Sequence, residues 1–358
     1  MINKLKYLKV FSKHLKKYIF IILLLILLLI IKRKRKIGII GLRHGTNIGN
    51  NLLKYAIFTK LSELGFEPYL IGFWKLNTDI SFINKTTKLR IIKKNFSEIK
   101  RNDYDILMVN SDQTWRKFNK NFYDYAFLKF AKNWNITKFI YGASLGFNFW
   151  KFSKEDERIA KECLNDFIAI SAREMGSIRL IKQHLGINPS FVLDPTLLIN
   201  KKYYLNIIKN YKSNNQNNIK YIFTYLFSFE KNILDFIRKS SEQLNYKVES
   251  VTIYTPNNIQ KFIYGISHCK AVITQSFHGT LFSIIFNKPF ITFINKNNAI
   301  ERFITLKKIL KIENRIFYYN EKPNISLLET PLHIDYNLIN SLKIKSINYL
   351  KNNLKKLN

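Results

Sequence analysis

Cysteine is nearly absent: the 358 residues hold two, Cys163 and Cys269, far apart and with no CxxC pair. They can build neither a disulfide framework nor a cysteine zinc site, and their scarcity fits a reducing compartment. Acidic residues are short as well. Twenty-four Asp and Glu stand against 59 Lys and Arg, a formal charge of +35, which attracts anionic lipids, acidic glycans, nucleotides or nucleic acid. Yet no stripe of basic residues interleaved with aromatics runs through the chain as it does in nucleic-acid binders. Lys, Asn and Ile are abundant everywhere, so the charge reads as compositional bias and no nucleic-acid partner is expected. Internal repeats of short period are missing too. With 47% hydrophobic residues, the chain can bury substantial cores, and its length favours two domains over one or three.

The first 36 residues stand apart. A basic segment (Lys4, Lys6, Lys9, Lys13, Lys16, Lys17) leads into the uncharged run Tyr18 to Ile31, and Lys32-Arg33-Lys34-Arg35-Lys36 follows. As a helix the run would span roughly 21 Å against a hydrocarbon core of ~30 Å, so crossing requires snorkelling lysines or local thinning. Small residues of a signal-peptide cleavage site are absent, and an aliphatic run between two basic clusters has no polar face. A retained single membrane anchor is therefore expected. Its orientation stays open, because basic residues flank both sides.

Past the anchor, buried strands alternate with helices. Ile37 to Gly41, Tyr69 to Phe73, Ile106 to Val109, Phe139 to Ala143, Ile168 to Ala172 and Phe191 to Leu193 read as strands, with helices at Asn50 to Leu64, Lys154 to Asn165 and Ser177 to Leu185. The polar stretch Ser213 to Asn218 reads as a linker. Strands at Lys220 to Tyr225, Lys247 to Val251, Ala271 to Thr274 and Phe290 to Phe293 follow it, alternating with helices at Lys231 to Leu244, Ile259 to Ser267 and Leu281 to Phe286. Short buried strands joined by helical crossovers imply parallel sheets covered on both faces. The expected organisation is an anchor segment (1–36), a Rossmann-like domain (37–212), a linker (213–218), a second Rossmann-like domain (219–330) and a C-terminal helix (331–358). Two such α/β domains place a site in the cleft between them, at strand-to-helix turns.

Five turns could carry chemistry. The first, Gly41 to Asn50, is rich in Gly and small polar residues before a helix, but it is not GxGxxG. No acidic residue closes the second strand to hold a ribose, so a dinucleotide fold is unsupported. The second, Asn110-Ser111-Asp112-Gln113-Thr114-Trp115, reads equally as a helix cap or a site. The third, Ala143-Ser144-Leu145-Gly146, is small enough for close backbone approach. In the fourth, Arg173-Glu174 ends a strand, and a surface ion pair is the simpler reading. The fifth, Gln275-Ser276-Phe277-His278-Gly279-Thr280, links a buried strand to a buried helix. Helix N-termini hold anions, and His278 adds a group that titrates near neutral pH. The plainer alternative is a satisfied core histidine beside a capping serine. Gly279 argues against it, since Gly near a helix start suits an approaching ligand.

Taken in order, these turns resemble the polysaccharide pyruvyl transferase family, from Ile37 to about Arg315. Its Asn-Tyr-Gly-Asn-x-Leu-Gln-x-Tyr-Ala stands here as Asn47-Ile48-Gly49-Asn50-Asn51-Leu52-Leu53-Lys54-Tyr55-Ala56, departing at Ile48 and Leu53. Gly-Ser-Asp-Gln-x-Trp appears with Asn110 in first place, followed by Ser111, Asp112, Gln113 and Trp115. Ala143, Ser144 and Gly146 match Ala-Ser-x-Gly; Ser171, Arg173 and Glu174 match Ser-x-Arg-Glu; Asp194-Pro195-Thr196 matches Asp-Pro-Thr. Ser-Phe-His-Gly-Thr is unchanged at 276–280, with Gln275 where an acidic residue often precedes it, and Glu301-Arg302 resembles the family's arginine element. The resemblance implies a GT-B-like fold. It also implies transfer of the pyruvyl group of phosphoenolpyruvate to sugar hydroxyls as a ketal, with no cofactor or metal and a sugar or polysaccharide acceptor. Donor binding would fall to Arg173, Ser276, His278, Gly279, Thr280 and Arg302; proton transfer to His278, Asp112 and Glu174; and the acceptor side of the cleft to Asn47, Gly49, Asn50, Ser111, Gln113, Trp115 and Ser144. Two rivals remain at this level: a GT-B-type glycosyltransferase using a nucleotide-sugar, and a non-catalytic membrane-attached protein that binds glycan or lipid. No feature of the sequence indicates an oligomeric state.

Overall fold

The computed structural model describes residues 18–21, 33–41, 47–72, 91–93, 95–110, 113–116, 122–211, 219–252, 258–296 and 300–355. Two units emerge, residues 1–35 and 36–358. Of the expected anchor run, only 18–21 are described, as exposed helix; the remainder lies outside the described residues. Among the described residues no helix is long and apolar enough to cross a membrane, so the expected anchor is left without support. The expected linker also lies outside them.

The second unit holds two parallel sheets. In the first, strands β1 (Lys36–Ile40), β2 (Glu67–Gly72), β3 (Ile91–Lys93), β4 (Ile106–Val109), β5 (Thr137–Ala143), β6 (Phe167–Ala172) and β7 (Ser190–Phe191) run in the order β3-β2-β1-β4-β5-β6-β7. Its helices are α1 (Ile48–Glu63), α2 (Phe122–Phe127), α3 (Lys154–Leu164), α4 (Met175–Leu185) and α5 (Lys201–Ile207). The second sheet contains β8 (Tyr221–Leu226), β9 (Lys247–Thr252), β10 (Ala271–Thr274), β11 (Phe290–Ile294) and β12 (Ile316–Tyr318), ordered β12-β11-β10-β8-β9. With it go α6 (Lys231–Leu244), α7 (Asn258–His268), α8 (Phe277–Ile285) and α9 (Glu301–Leu310), and α10 (Tyr336–Lys355) closes the chain.

Continuous apolar runs become fully buried strands: every residue of β4, β8, β10 and β11 is buried, as parallel strands covered on both faces require. One apolar cluster is shared by both sheets, joining Ile39, Met108 and Tyr141 to Phe223, Val272 and Phe282. Helix α10 returns to the first sheet. There Tyr349 Oη donates to Ile140 O at 2.8 Å, and Ser346 Oγ accepts from Leu193 N at 2.9 Å. Strand order reverses between β1 and β4, and again between β8 and β10. Such switch points leave a crevice at the carboxyl ends of the strands, and the fifth turn lies there with the described residues of the first and second, Gly41 and 47–50, and Asn110 and 113–115.

One boundary and two short strands differ from the sequence expectation. Helix α8 begins at Phe277 rather than Leu281, so His278 and Gly279 stand inside its first turn. Strands β3 and β12, three residues each, are too short to show a period.

Candidate active site at the junction of the two sheets

Ser276 caps α8, its Oγ accepting from Gly279 N at 3.3 Å, while Ser276 N donates to Thr274 Oγ1 at 3.0 Å. Thr280 Oγ1 donates to Ser276 O at 3.1 Å and pairs with Thr292 Oγ1 at 2.7 Å. The capping serine of the plainer reading is therefore present. Gly279 also has a reason inside the protein: a Cβ there would stand 2.4 Å from Thr274 Oγ1, so it is the strand's own threonine that requires glycine. Gln275 Oε1 accepts from Phe227 N at 2.7 Å and Ser228 N at 2.9 Å, which ties the turns after β8 and β10 across the switch point. An amide at this position can do what a carboxylate would, because both donors are backbone N–H groups.

His278 is 4% exposed and faces the first sheet. A Cβ on Gly49 would fall 2.0 Å from His278 Nδ1, so the first turn of α1 lies directly against the imidazole. That turn is set by Asn47, whose Oδ1 accepts from Asn50 N at 3.2 Å. Across from it, His278 Nε2 is 3.8 Å from Asp194 Oδ2.

Asp194 is the hub. Its Oδ2 accepts from Arg173 Nη1 at 2.6 Å, and its Oδ1 accepts from Thr196 N at 3.0 Å and Thr196 Oγ1 at 2.7 Å. Burial alone would raise this carboxyl, but the Arg173 guanidinium, His278 and the Thr196 donors outweigh burial and hold it below the ordinary range. The flanking segment is pinned by Tyr141 Oη on Leu193 O at 2.9 Å and Tyr204 Oη on Thr196 O at 2.7 Å. In the sequence, Asp194 stands only as part of the Asp-Pro-Thr match and has no expected role. The one available signal was Thr two residues after Asp, a spacing at which the carboxylate caps its own turn.

Arg173 and Glu174 correct the expectation of a surface ion pair, being 5% and 1% exposed. Arg173 Nε is 3.7 Å from Glu174 Oε1. Glu174 also accepts from Ser144 Oγ at 2.7 Å and Ser177 Oγ at 2.8 Å. The strand register between β5 and β6 is irregular from Ile140 to Ala143. Ser171 Oγ fills that irregularity, accepting from Gly142 N and donating to Ile140 O, both at 2.9 Å. The bulge re-aims the end of β5, as bulges beside sites do, and delivers Ser144 to Glu174.

Phe277 lies between two guanidinium groups, with Arg173 at 5.7 Å and Arg302 at 5.1 Å from its ring centre. Arg173, Asp194, Phe277 and Arg302 line a cavity of about 30 Å³. Arg302 arrives through contact between α4 and α9: Met175 N donates to Thr305 Oγ1 at 3.0 Å, and a Cβ on Gly176 would stand 2.1 Å from Glu301 Oε2. Burial, with Glu174 nearby and Arg179 opposing, raises the Glu301 carboxyl.

Gln113 packs on Gly146 and accepts from Arg116 Nη1 at 3.1 Å, while the fully buried Trp115 donates its backbone N–H to Ser144 O at 3.2 Å. Ser111 and Asp112 lie outside the described residues. The structure thus gathers Gly49, Arg173, Glu174, Ser144, Ser276, His278 and Arg302 with Asp194, and sets Gln113 and Trp115 beside them on the Ser144 turn. Among the described residues, no group of three or more His, Cys, Asp or Glu side chains could hold a metal ion.

The model of the family described as polysaccharide pyruvyl transferase matches residues 47–297. The chain belongs to that family. It is therefore a transferase. The match takes in the last four turns, the end of the first from Asn47, and Asp194, and it ends just before Arg302. No curated protein matches the chain significantly. Among solved structures, the UDP-GlcNAc 2-epimerase from Neisseria meningitidis bound to UDP-GlcNAc is similar at 12% identity and TM-score 0.57, over 88% of this chain and 99% of that one. The S. aureus MnaA–UDP co-structure is similar at 14% identity and TM-score 0.53, over 83% and 86%. At such identities the likeness is one of fold: two parallel-sheet α/β domains of GT-B-like kind. A shared fold does not carry function, so the likeness says nothing of the chemistry at the turns.

Proposed function

We propose that this polysaccharide pyruvyl transferase family member moves the pyruvyl group of phosphoenolpyruvate onto two hydroxyls of a sugar in a glycan, forming a ketal. The observation that carries the reading is the buried Arg173–Asp194–His278 assembly with Arg302 against Phe277. It sets a carboxylate-supported imidazole beside two guanidinium groups, and the donor brings both a carboxylate and a phosphate.

Protonation of the donor's C3 makes C2 electrophilic. A sugar hydroxyl attacks C2, the C2–O bond to phosphate breaks, and a second hydroxyl closes the ketal. Of the two hydroxyl protons, one balances the proton gained at C3 and the other leaves with phosphate. Asp194 Oδ2 faces the imidazole at 3.8 Å, and His278 is placed to deliver the proton or hold the departing phosphate at the start of α8. The donor carboxylate goes to Arg302, because the Arg173 guanidinium is engaged by Asp194 at 2.6 Å. Glu174, already accepting from two serines, orients the Ser144 turn. The hydroxyl base is then Asp112. Asn47, Gly49 and Asn50 form the facing wall.

The test is label transfer. Phosphoenolpyruvate carrying ¹⁴C in its pyruvyl carbons is incubated with the protein and a glycan fraction from the cells that make it, in parallel with a panel of ³H-labelled nucleotide-sugars. The expected result is acid-labile ¹⁴C in the glycan with one phosphate released per label. Label arriving only from a nucleotide-sugar would establish the glycosyltransferase alternative instead.

A further inference from the structure

A second concavity lies one turn away from Glu174. It measures about 320 Å³ and is lined by Trp115, Arg116, Leu145, Phe147, Lys151 and Phe152, with the exposed ring of Phe149 at its edge. Pockets for small ligands begin near this size, about 300 Å³. Nothing in the donor chemistry uses it. Among the described residues, no acidic side chain lines it.

The pocket is built rather than incidental. Its floor is tied to the junction: Trp115 N donates to Ser144 O at 3.2 Å, Ser144 Oγ donates to Glu174 at 2.7 Å, and Leu145 is the next residue. Its outer wall is anchored at both ends. Trp150 stacks on His184 at 4.4 Å and donates Nε1 to Glu157 at 2.8 Å, and Phe152 packs edge-on against Phe122 at 5.3 Å. Phe147 is held between cations, with the Arg116 guanidinium 4.8 Å and Lys151 Nζ 3.6 Å from its ring centre. Lys151 also stands 5.1 Å from Phe149, and among the described residues it makes no ion pair. Trp115 is wholly buried, and its indole N–H has no acceptor among the described residues.

We infer that this pocket is the acceptor subsite and that it takes an anionic sugar, one whose carboxylate or phosphate meets Lys151 and Arg116 while a ring face lies on Phe149 and Phe152. Aromatic rings present flat apolar surface to the C–H face of a pyranose, and paired cations select acidic over neutral sugars. The inference rests on the proposed transfer for the word acceptor, but the binding it describes can be measured without turnover.

Titration calorimetry on the full chain would use three oligosaccharides of equal length: one containing hexuronate, one containing sugar phosphate, one neutral. At least one acidic arm is expected to bind about tenfold more tightly than the neutral one, and the arm that does so names the anion. Lys151→Glu, an exposed position whose change should leave thermal unfolding as it was, is expected to abolish that preference. Phosphoenolpyruvate affinity measured on the same proteins should stay at the parent value. Equal affinity for acidic and neutral arms, absence of binding in all three, or an acidic preference that survives Lys151→Glu would each overturn the subsite. Failure of phosphoenolpyruvate to bind the parent protein would count against the proposed transfer alone.

Discussion

The two ends of the first sheet treat charge in opposite ways. At the amino end, Lys138 is 1% exposed, yet its partner Asp166, 3.1 Å away, is 39% exposed, so one member of the pair keeps its water. Asp105 beside it accepts from Lys36 N in the open. At the carboxyl end, Arg173 and Asp194 have side chains 1% and 3% exposed, with Glu174 and His278 buried against them. Desolvating both members of an ion pair costs several kcal/mol per ion and is repaid only by close geometry and further hydrogen bonds. The amino end shows the arrangement stability alone would favour. The carboxyl end accepts a larger burial cost where the family's motifs converge, and this asymmetry is the physical argument that it is the working end.

His278→Ala should have the largest effect, lowering pyruvyl transfer by about 10³-fold while the protein stays folded. Transfer at the parent rate would return His278 to the status of a core side chain and erase the contrast. Next comes Asp194→Asn, which leaves the buried Arg173 guanidinium without its charge partner. Urea unfolding should show a loss of about 3–5 kcal/mol, against less than about 1 kcal/mol for Asp166→Asn at the other end. Equal losses at both ends would break the comparison. Gly49→Ala should cost about 1–3 kcal/mol, because the new methyl would meet the imidazole at 2.0 Å, and the same change at the open Gly65, which has no neighbour within 4 Å but a φ of +90°, should cost about 1 kcal/mol through strain alone.

The smallest effect is one of sign. Asp194 sits below its ordinary value, so its contribution is present above the unfolded pKa of ~3.9 and disappears as pH falls through the depressed one. Glu301 sits above its ordinary value because burial, then Glu174, disfavours its charge. The native state therefore holds that proton more tightly, and stability falls as pH rises from ~4.3 through the raised value. Glu301→Gln should raise the melting temperature slightly at pH 7 and leave it unchanged at pH 4. A loss at pH 7 would mean the charged form is stabilised at the start of α4.

Much of this fold was legible in the sequence because parallel strands buried on both faces are unbroken apolar runs; Ile106–Val109 and Ala271–Thr274 are such runs, and both were read without error. Helix α8 starts four residues before the apolar run Leu281 to Phe286 that marks it in the sequence. Gly279 is tolerated in the first turn since Thr274 leaves no room for a Cβ, a contact between elements that spacing does not reveal. Arg173-Glu174 read as a surface pair because adjacent opposite charges usually are one. Their burial depends on Asp194 and Ser144, which approach from two other segments, and on Ser177 in the following turn of helix. The approach of Gly49 to His278 spans both sheets, and only the fold could disclose it. The hub, Asp194, became visible only through its partners. The cysteines belong to neither end: both are buried, and burial pushes the Cys269 thiol up to about 12, which suits packing rather than nucleophilic chemistry.

The central claim is that the carboxyl-end assembly receives the donor, and a crystal structure of the protein with phosphoenolpyruvate bound tests it most directly. The account predicts the phosphate within hydrogen-bond reach of His278 and the start of α8, with the carboxylate on Arg302. Phosphoenolpyruvate bound elsewhere, with His278 still closed between Gly49 and Asp194, would contradict it.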